Sequence, residues 1–372
     1  MEYKIEIYSK PNDELKKYWN QFEPESYNYC FQSYEWFETW TKIFRNFDKD
    51  NICVVVAHHE GKILFILPLE IIKKYNVKIL QWLGGKHSDY FSPIISKNFD
   101  LSKERFIKLW NQIKNSLPDF DIILFNKQPL EVVIKKNPFV QFLNNHKDSV
   151  IYKVLLPESW ENYSELTLKK KFRTQNIRSE KTLNKMGNLS FEIIPNSNEK
   201  VTFIDEIFNQ KNDQLKSLGI KEIFEEKDIN FYKAFEELKN KKIETHISCI
   251  KLDDQIIAAH WGIVYKNRFY YLLPSMNAKN LAKYSPGRIL IENLIKWSIA
   301  NKLQIFDFTL GDEKYKKSWC NSKSQLFNHL YLNSFKGVVL FIFLKSKLII
   351  KSIDQHHYMQ KTFFMIKKLL RL

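Results

Sequence analysis

The chain has 372 residues, 44% of them hydrophobic and 15% aromatic, which is enough apolar material for two folded domains. This composition excludes an intrinsically disordered or low-complexity protein. The 58 Lys and Arg residues outnumber the 42 Asp and Glu residues and give a net charge of +16, which favours anionic partners unless the lysine excess is only background composition.

The first half of the chain alternates strand-like and helix-like segments. Its first residues alternate in polarity as a strand does, and aromatic residues spaced by four predict a helix over 33–44. Two apolar runs flank a polar turn at residues 60–62, a pattern typical of a β-hairpin. The other elements predicted in this half are a strand over 3–8, a helix over 102–116 and a buried strand over 120–125.

The second half repeats this order of elements. A strongly basic helix over 168–187 precedes strands, two helices and a second hairpin around a polar turn at residues 253–254. A strand over 268–276, a helix after Ser285 and a strand over 303–311 follow. The repetition predicts a duplicated α/β unit of mixed sheets flanked by helices, with a boundary near residue 150.

The motif Ser285-Pro286-Gly287-Arg288 directly precedes the helix of the second half. Ser is a preferred N-cap and Pro a preferred first helical residue, so the motif could be only a well-formed helix start. The same residues could also bind an anion. The first turn of a helix exposes unpaired N–H groups, Gly287 allows close approach, and Arg288 and Lys283 add positive charge.

A second informative segment, IFDFTLGDEKYKKSWC, begins with the strand over 303–311. Asp307, Asp312, Glu313 and Lys316 follow one another at its carboxyl end, where open α/β sheets bind ligands. Asp307 alternates with two phenylalanines, so it could instead only cap a neighbouring element. Both interpretations remain open from the residues alone.

Several motifs, in this order and spacing, resemble the GNAT-type acetyltransferases of the CelD-like branch, which acts in cellulose and polysaccharide biosynthesis and is related to the Fem-type peptidyl transferases. They are FQSYEW, ILPL, LGGKHSDYFSPI, the Lys/Arg-rich helix, IAAHWG, YSPGRIL and FDFTLGDEKYKKSW. The resemblance implies two tandem GNAT-like domains, over 1–150 on the acceptor side and 151–335 on the donor side. The apolar and cationic composition of residues 336–372 predicts a basic amphipathic helical tail. The resemblance further implies acyl transfer from a thioester, usually acyl-CoA such as acetyl-CoA, to an amine of a sugar or cell-envelope or exopolysaccharide precursor.

The resemblance also assigns roles to residues. It places the SPGRIL segment at the loop that binds the CoA diphosphate, and Tyr315-Lys316 resembles an aromatic–lysine pair near the reacting ester. Lys316 could stabilise the oxyanion, and the candidate bases are Asp307, Glu313 and His260. His260 could equally be an ordinary core histidine.

The candidate acceptor-binding residues of the resemblance lie mostly in the first half. They are Gln32, Trp36, His87, Asp89 and Tyr90, together with Tyr315. Alternatives remain open here too, because Trp36 could be a core residue and Asp89-Tyr90 an ordinary turn.

The cysteines and the tail of the sequence predict the cellular compartment of the protein and its relation to the membrane. The four cysteines are scattered without metal-ligand spacing, so we expect no metal, no disulfide framework and a reducing cytoplasm. The start of the chain lacks signal-peptide features, and no run of about 18 apolar residues predicts a membrane span. The apolar, cationic tail could lie peripherally on the inner face of an anionic membrane, or could be an extra helix pair packed on the second domain or on another subunit.

Two other functions compete with acyl-CoA transfer. The basic helix could be a solvated face, or could bind CoA phosphate, an anionic acceptor or tRNA, although nothing predicts sequence-specific nucleic-acid binding. A Fem-like transferase that uses aminoacyl-tRNA is therefore the first rival. A non-catalytic accessory protein of a membrane glycan synthase is the second.

Overall fold

The computed structural model describes residues 3–47, 51–195, 197–217, 219, 224–238, 242–277 and 281–353. It confirms the predicted mixed α/β fold class, with sheets flanked by helices. The strands are β1 (Tyr3–Tyr8), β2 (Ser26–Tyr27), β3 (Asn51–His59), β4 (Lys62–Lys74), β5 (Val77–Trp82), β6 (Ile94–Ser96), β7 (Ile122–Pro129), β8 (Glu131–Val132), β9 (Lys135–Lys136), β10 (His146–Leu155), β11 (Leu189–Ile193), β12 (Glu244–Leu252), β13 (Gln255–Tyr265), β14 (Arg268–Met276), β15 (Ile305–Leu310) and β16 (Ser322–Leu332). The α-helices are α1 (Asp13–Phe22), α2 (Tyr34–Phe44), α3 (Lys103–Ser116), α4 (Pro138–Gln141), α5 (Trp160–Thr167), α6 (Lys170–Asn184), α7 (Ser197–Ser217), α8 (Glu226–Glu237), α9 (Pro286–Ala300) and α10 (Val338–Ile353).

The chain forms two compact units. Unit 1 contains the described residues of 1–28, 47–149 and 325–372, and unit 2 contains those of 29–46 and 150–324. The segment that carries α2 therefore belongs to unit 2, although it lies early in the sequence. The linear domain boundaries drawn from the sequence stay a prediction.

Unit 1 is built on a sheet with the strand order β1-β3-β4-β5-β7-β16. The hairpin β3–β4 turns at Glu60 and Gly61, whose φ angles of 51° and 74° are those of a tight hairpin turn. β5 and β7 pair in parallel, and the other pairs on this path are antiparallel. Phe139 lies at the centre of an aromatic core, with Trp82, Phe106 and Phe125 around it.

Unit 2 repeats this arrangement, as the sequence predicted. Its strand order is β10-β15-β14-β13-β12-β11, and β14 and β15 form the parallel pair that α9 connects. Leu290 and Leu294 of α9 are fully buried against apolar side chains of the sheet, including Phe269 and Phe306. Because α9 follows β14 and precedes β15, its first turn lies at the carboxyl ends of these two strands.

Helix α10 packs on unit 1. Leu340, Leu344 and Leu348 lie against the apolar face formed by β5, β7 and β16. The alternative of tail helices on the second domain is therefore wrong for this segment. The second apolar segment of the tail, residues 358–372, lies outside the described residues. Within the described part of the chain, no helix is both long and apolar enough to cross a bilayer.

Candidate active site

The parallel strands β14 and β15 separate before they end. Their ladder pairs Arg268 with Ile305, Phe269 with Phe306, and Tyr270 with Asp307. Beyond this last pair β14 runs on to residue 276 and β15 to residue 310. The carboxyl halves of the two strands therefore leave an opening between them at the edge of the sheet where the first turn of α9 also lies.

A bulge in β15 explains this separation. Thr309 has a φ of 56°, and its backbone N–H donates to Asp307 Oδ1 at 2.9 Å. The register against β10 shifts at the same place, where Ile151 pairs with Leu310 but Lys153 pairs with Asp307. A bulge bends its strand and ends regular pairing, so the Asp-Phe-Thr sequence opens the sheet here.

Asp307 is wholly buried and already has strong partners. Its Oδ2 forms an ion pair at 2.9 Å with Nη1 of Arg268, which is itself only 7% exposed, and its Oδ1 holds the bulge. The guanidinium of Arg268 also lies 4.9 Å from the ring of Tyr29. These contacts favour a structural role, and the catalytic role of Asp307 stays a prediction.

The start of α9 differs from the predicted capped helix. Pro286 is the first helical residue as predicted, but Ser285 is left-handed, with a φ of 53°, and no described side chain caps the first turn. The Ser285 hydroxyl instead accepts a hydrogen bond from Arg288 Nη2 at 3.0 Å. Ser285 therefore occupies the predicted N-cap position, but its side chain does not cap the helix, and no described cap uses the amide of Gly287.

The space in front of Gly287 is open in the described structure. A Cβ built on this glycine would meet only Met276 Sδ, at 3.8 Å. Two cationic side chains flank the turn: Arg288, held 5.5 Å from the ring of Phe172, and the exposed Lys283. An uncapped helix start with open space and nearby positive charge suits a phosphate or diphosphate group.

The structure brings Glu313 and Lys316 together after β15. Lys316 is buried, and its Nζ donates to the carbonyl of Leu310 at 2.7 Å and pairs with Glu313 Oε2 at 3.0 Å. Gly311, with a φ of 127°, lets the Glu313 carboxylate lie against the chain, because a Cβ there would be 2.2 Å from Oε2. Asp312 does not join this pair, since it accepts a hydrogen bond from Tyr152 and pairs with Lys317 instead.

Tyr315 lies next to Lys316 and packs edge-on against Phe308, with 6.3 Å between ring centroids. Burial, followed by the nearby charge of Glu313, raises the pKa of its hydroxyl. The hydroxyl therefore stays protonated and can donate a hydrogen bond to a substrate. Its predicted role in substrate binding remains a prediction.

His260 is enclosed on its strand, β13. Its ring stacks on Tyr271 with 4.4 Å between centroids, and its Nε2 faces the backbone N–H of Leu272 at 3.2 Å. Gly262 makes room for the ring, because a Cβ there would lie 2.3 Å from His260 Cε1. Burial, followed by the nearby His246, holds the His260 pKa well below its usual range. This placement favours a neutral core histidine over a base in contact with substrate.

The predicted acceptor-binding residues fall in both units. Gln32 and Trp36 lie in unit 2, where Trp36 packs 5.0 Å from Phe231 and 5.3 Å from Phe235 of α8. This placement favours the core interpretation of Trp36. The three others lie in unit 1, as part of or just after a short 3-10 turn: His87, Asp89 and Tyr90. Their acceptor-binding role stays a prediction.

The basic helix predicted over 168–187 is confirmed as α6, which packs against α9. Asn176 anchors it, with Nδ2 donating to Glu292 Oε2 of α9 at 3.1 Å. Its cationic side chains are mostly exposed: Lys169 at the N-cap and Lys170, Lys171, Arg178, Lys181 and Lys185 along or just after the helix. A positive surface therefore adjoins the start of α9.

Lys211 is a residue of this region that the sequence did not single out. It lies on α7, is partly buried, and its Nζ donates to the carbonyl of Pro274 at 3.0 Å. Pro274 belongs to the part of β14 beyond the last pair with β15. Burial is the main cause that lowers the Lys211 pKa, while Glu313 raises it and Lys316 lowers it. Lysine-rich helices are common in this chain, so the sequence alone does not single out Lys211. Only its contact with Pro274 distinguishes it from the other lysines.

Comparison with known proteins decides the class of this site. Residues 170–317 match the family model of the acetyltransferase (GNAT) domain, a range that begins with α6 and includes Lys211, α9 and Lys316. These residues form a GNAT-type acetyltransferase domain. The protein is an acyltransferase. No curated protein matches the chain at a significant level.

Solved structures show the same fold over nearly the whole chain. A crystal structure of FemX is 12% identical, with a TM-score of 0.59, and covers 91% of this chain and 99% of its own. A conserved protein of unknown function from Bacteroides thetaiotaomicron VPI-5482 is 13% identical, with a TM-score of 0.53, over 89% of this chain and 100% of its own. L-PGS from Bacillus licheniformis is 11% identical, with a TM-score of 0.51, over 93% of this chain and 99% of its own. At these identities the similarity shows the fold alone, and the CelD-like branch stays a prediction.

Proposed function

We propose that the protein transfers an acyl group from acyl-CoA to an amine. The observation that carries this proposal is the uncapped start of α9, where open space lies in front of Gly287. It stands beside the opening between β14 and β15, inside the segment that matches the GNAT acetyltransferase domain. The CoA diphosphate would bind the backbone amides of this turn, with Arg288 and Lys283 as the flanking cations.

The chemistry of the transfer needs few groups. The acceptor amine attacks the thioester carbonyl, the C–N bond forms, and the thiolate leaves with the electron pair of the C–S bond. Lys316 lies in the same region, and its ammonium is oriented by Leu310 and Glu313. We assign it the stabilisation of the negative charge that develops on the carbonyl oxygen. No metal is part of this proposal.

The acceptor class is the finer part of the proposal. We infer an amine of a sugar or of a cell-envelope or exopolysaccharide precursor, on the basis of the motifs that resemble the CelD-like branch. Such precursors often carry phosphate, and the net charge of +16 favours anionic acceptors. A panel of amino sugars and their phosphates, with acetyl-CoA as donor, tests this class directly. Transfer to none of them, with donor binding intact, would refute it.

We further infer that the protein works in the cytoplasm at the inner face of an anionic membrane. The outer face of α10 carries exposed apolar side chains, with Val339 81% and Ile342 61% exposed, and Phe335 precedes it. Lys345 and Lys347 lie on the same helix, and its described side chains include no acidic residue. Sedimentation with vesicles that contain phosphatidylglycerol tests this inference. Equal binding of the protein and of Val339→Asp/Ile342→Asp would contradict it.

One observation favours a second donor. The exposed cationic side chains of α6 could follow the backbone of a charged tRNA, and a FemX structure shares the fold over nearly the whole chain. Under this alternative the protein is a Fem-like aminoacyl transferase. Under a third possibility, a non-catalytic accessory protein of a membrane glycan synthase, neither CoA nor tRNA would bind.

A thermal-shift titration with acetyl-CoA, free CoA and tRNA separates these functions, because a ligand that binds the folded state raises the melting temperature. Gly287→Asp is the decisive variant. A carboxylate about 4 Å from a phosphate costs about 4 kcal/mol at an effective dielectric constant of 20, or nearly a 10³-fold loss of affinity. The same carboxylate should slightly stabilise the ligand-free protein, because it complements the helix dipole.

Gly287→Ala is the matched control, since its Cβ fits at ordinary contact distance from Met276 Sδ and adds no charge. A CoA-induced shift that survives in Gly287→Ala and vanishes in Gly287→Asp supports the proposal. An equal shift in both variants would show that CoA does not bind at the start of α9. A shift with tRNA alone would favour the second donor.

A further inference from the structure

Lys211 combines partial burial with incomplete hydrogen bonding. Its ammonium has three N–H donors, and the carbonyl of Pro274 accepts one of them at 3.0 Å. The described residues provide no partner for the other two. An ammonium group that loses part of its water without gaining partners is destabilised, whereas a neutral amine in the same place needs fewer partners.

The charges around Lys211 act in opposite directions. Among the described residues, Glu313 and Lys316 are the charged groups that affect the Lys211 pKa, and Glu313 is already paired with Lys316 at 3.0 Å. The glutamate therefore offers Lys211 little net stabilisation of its charge. With burial, the balance lowers the Lys211 pKa. Neutral lysine keeps its hydrogen bond to Pro274 and exposes one nitrogen lone pair.

The other candidate bases of this region are engaged. Asp307 is held in its ion pair with Arg268 and in the bulge of β15. Glu313 is paired with Lys316, and His260 is enclosed beneath Tyr271. Lys211 lies beside the part of β14 that is not paired with β15, and within the described structure its nitrogen makes one hydrogen bond, to the carbonyl of Pro274.

We propose that Lys211 is the general base of the transfer and accepts the proton that the acceptor amine releases as it attacks the acyl carbonyl. This role rests on the proposed acyl transfer. The C–N bond forms as the C–S bond breaks, the thiolate keeps the electron pair, and the proton moves to Lys211 Nζ. The resulting ammonium then returns the proton to the thiolate or to water. Lys316 supplies the fixed positive charge, so the two lysines have different roles.

The first test measures the protonation of Lys211 and needs no substrate. Biosynthetic [ε-13C]lysine labelling gives one NMR signal for each lysine, and Lys211→Arg identifies the signal of interest. We expect the midpoint of its pH titration to lie at a lower pH than the midpoints of exposed lysines such as Lys216 on the same helix. In Lys316→Met the midpoint should rise, because a repelling charge is gone. A midpoint equal to that of Lys216 would overturn the proposal.

The second test compares Lys211→Met and Lys211→Arg, with acetyl-CoA and glucosamine as probes. Loss of a general base lowers kcat/KM by about 10²–10⁴-fold, and arginine cannot replace the base because it stays protonated. Both variants should therefore be impaired alike, with acetyl-CoA affinity retained, and Lys216→Arg should behave as wild type. Full activity of Lys211→Arg would show instead that Lys211 acts through its positive charge.

Together the two tests distinguish a failure of the base role of Lys211 from a failure of the proposed acyl-CoA donor. A low midpoint, with CoA binding and an inactive Lys211→Arg, supports the proposal. A low midpoint without CoA binding would refute the acyl-CoA function and the base role with it. Where glucosamine is too poor a substrate for kinetics, the NMR midpoint decides.

Discussion

The ion pair between Asp307 and Arg268 permits a prediction that separates structure from catalysis. The two side chains are 0% and 7% exposed and meet at 2.9 Å. Removing one partner of a buried pair costs about 3–5 kcal/mol, because the remaining charge loses its counterion. Asp307→Ala also removes the acceptor for the Thr309 N–H that holds the bulge. We expect this variant to be strongly destabilised.

The loss should appear in the melting temperature. For a domain of about 150–250 residues, each kcal/mol lowers the melting temperature by about 2–4 °C, so Asp307→Ala should melt roughly 6–20 °C lower. Asp307→Asn keeps the side-chain oxygen for Thr309 and loses only the charge, so its decrease should be smaller. Differential scanning calorimetry measures both. The exposed turn variant Asp254→Asn is the control and should melt as wild type does.

A contrary result is easily recognised. If Asp307→Ala melts within 2 °C of wild type, the buried ion pair does not contribute the stability of about 3–5 kcal/mol expected for it. If Asp307→Ala keeps its stability and still binds acetyl-CoA but loses acyl transfer, Asp307 is the catalytic base that the sequence suggested. If stability falls and Asp307→Asn retains transfer, the carboxylate is structural.

Two further predictions concern Lys316 and the buried histidine His246. Lys316→Met should lower kcat far more than acetyl-CoA affinity if its ammonium stabilises the oxyanion, and an effect on affinity alone would reassign it to phosphate binding. Burial, with Lys200 nearby, lowers the pKa of His246 to about 3, so the folded protein keeps this ring neutral where the unfolded chain would bind a proton. Stability should therefore fall as pH drops below about 6.5, by about 1.4 kcal/mol per pH unit for this group. His246→Phe should reduce that slope between pH 6.5 and 5 in urea titrations, and an unchanged slope would contradict the assignment.

Much of the fold follows from local patterns in the sequence. Alternating polarity and the polar turns predicted both hairpins, and the structure gives the predicted strand over 268–276 with the same bounds. Strand β16 escaped prediction, because its first four residues are polar and give no strand-like alternation. Its place in the sheet depends on neighbours that are distant in sequence.

The candidate site was only partly accessible from the sequence. The helix start at Pro286 and the pairing of Lys316 with a nearby acid follow from motif spacing, since the residues are close in the chain. Lys211 could not be found in this way, because its contact with Pro274 spans 63 residues. Nor does the sequence reveal that Ser285 is left-handed and uses its hydroxyl on Arg288 rather than on the helix amides. Both facts depend on tertiary packing.

The choice between CoA and tRNA depends on which positive groups the donor uses. The amides at Gly287 act over a short range, so only a phosphate seated directly on the turn is affected by a carboxylate there. The lysines of α6 are exposed and spread along a helix, and such contacts add up weakly and are screened by salt. A CoA donor should therefore be sensitive to Gly287→Asp and only modestly sensitive to salt. A tRNA donor should show a steep salt dependence and little effect of Gly287→Asp, so the two responses together identify the donor even before the acceptor is known.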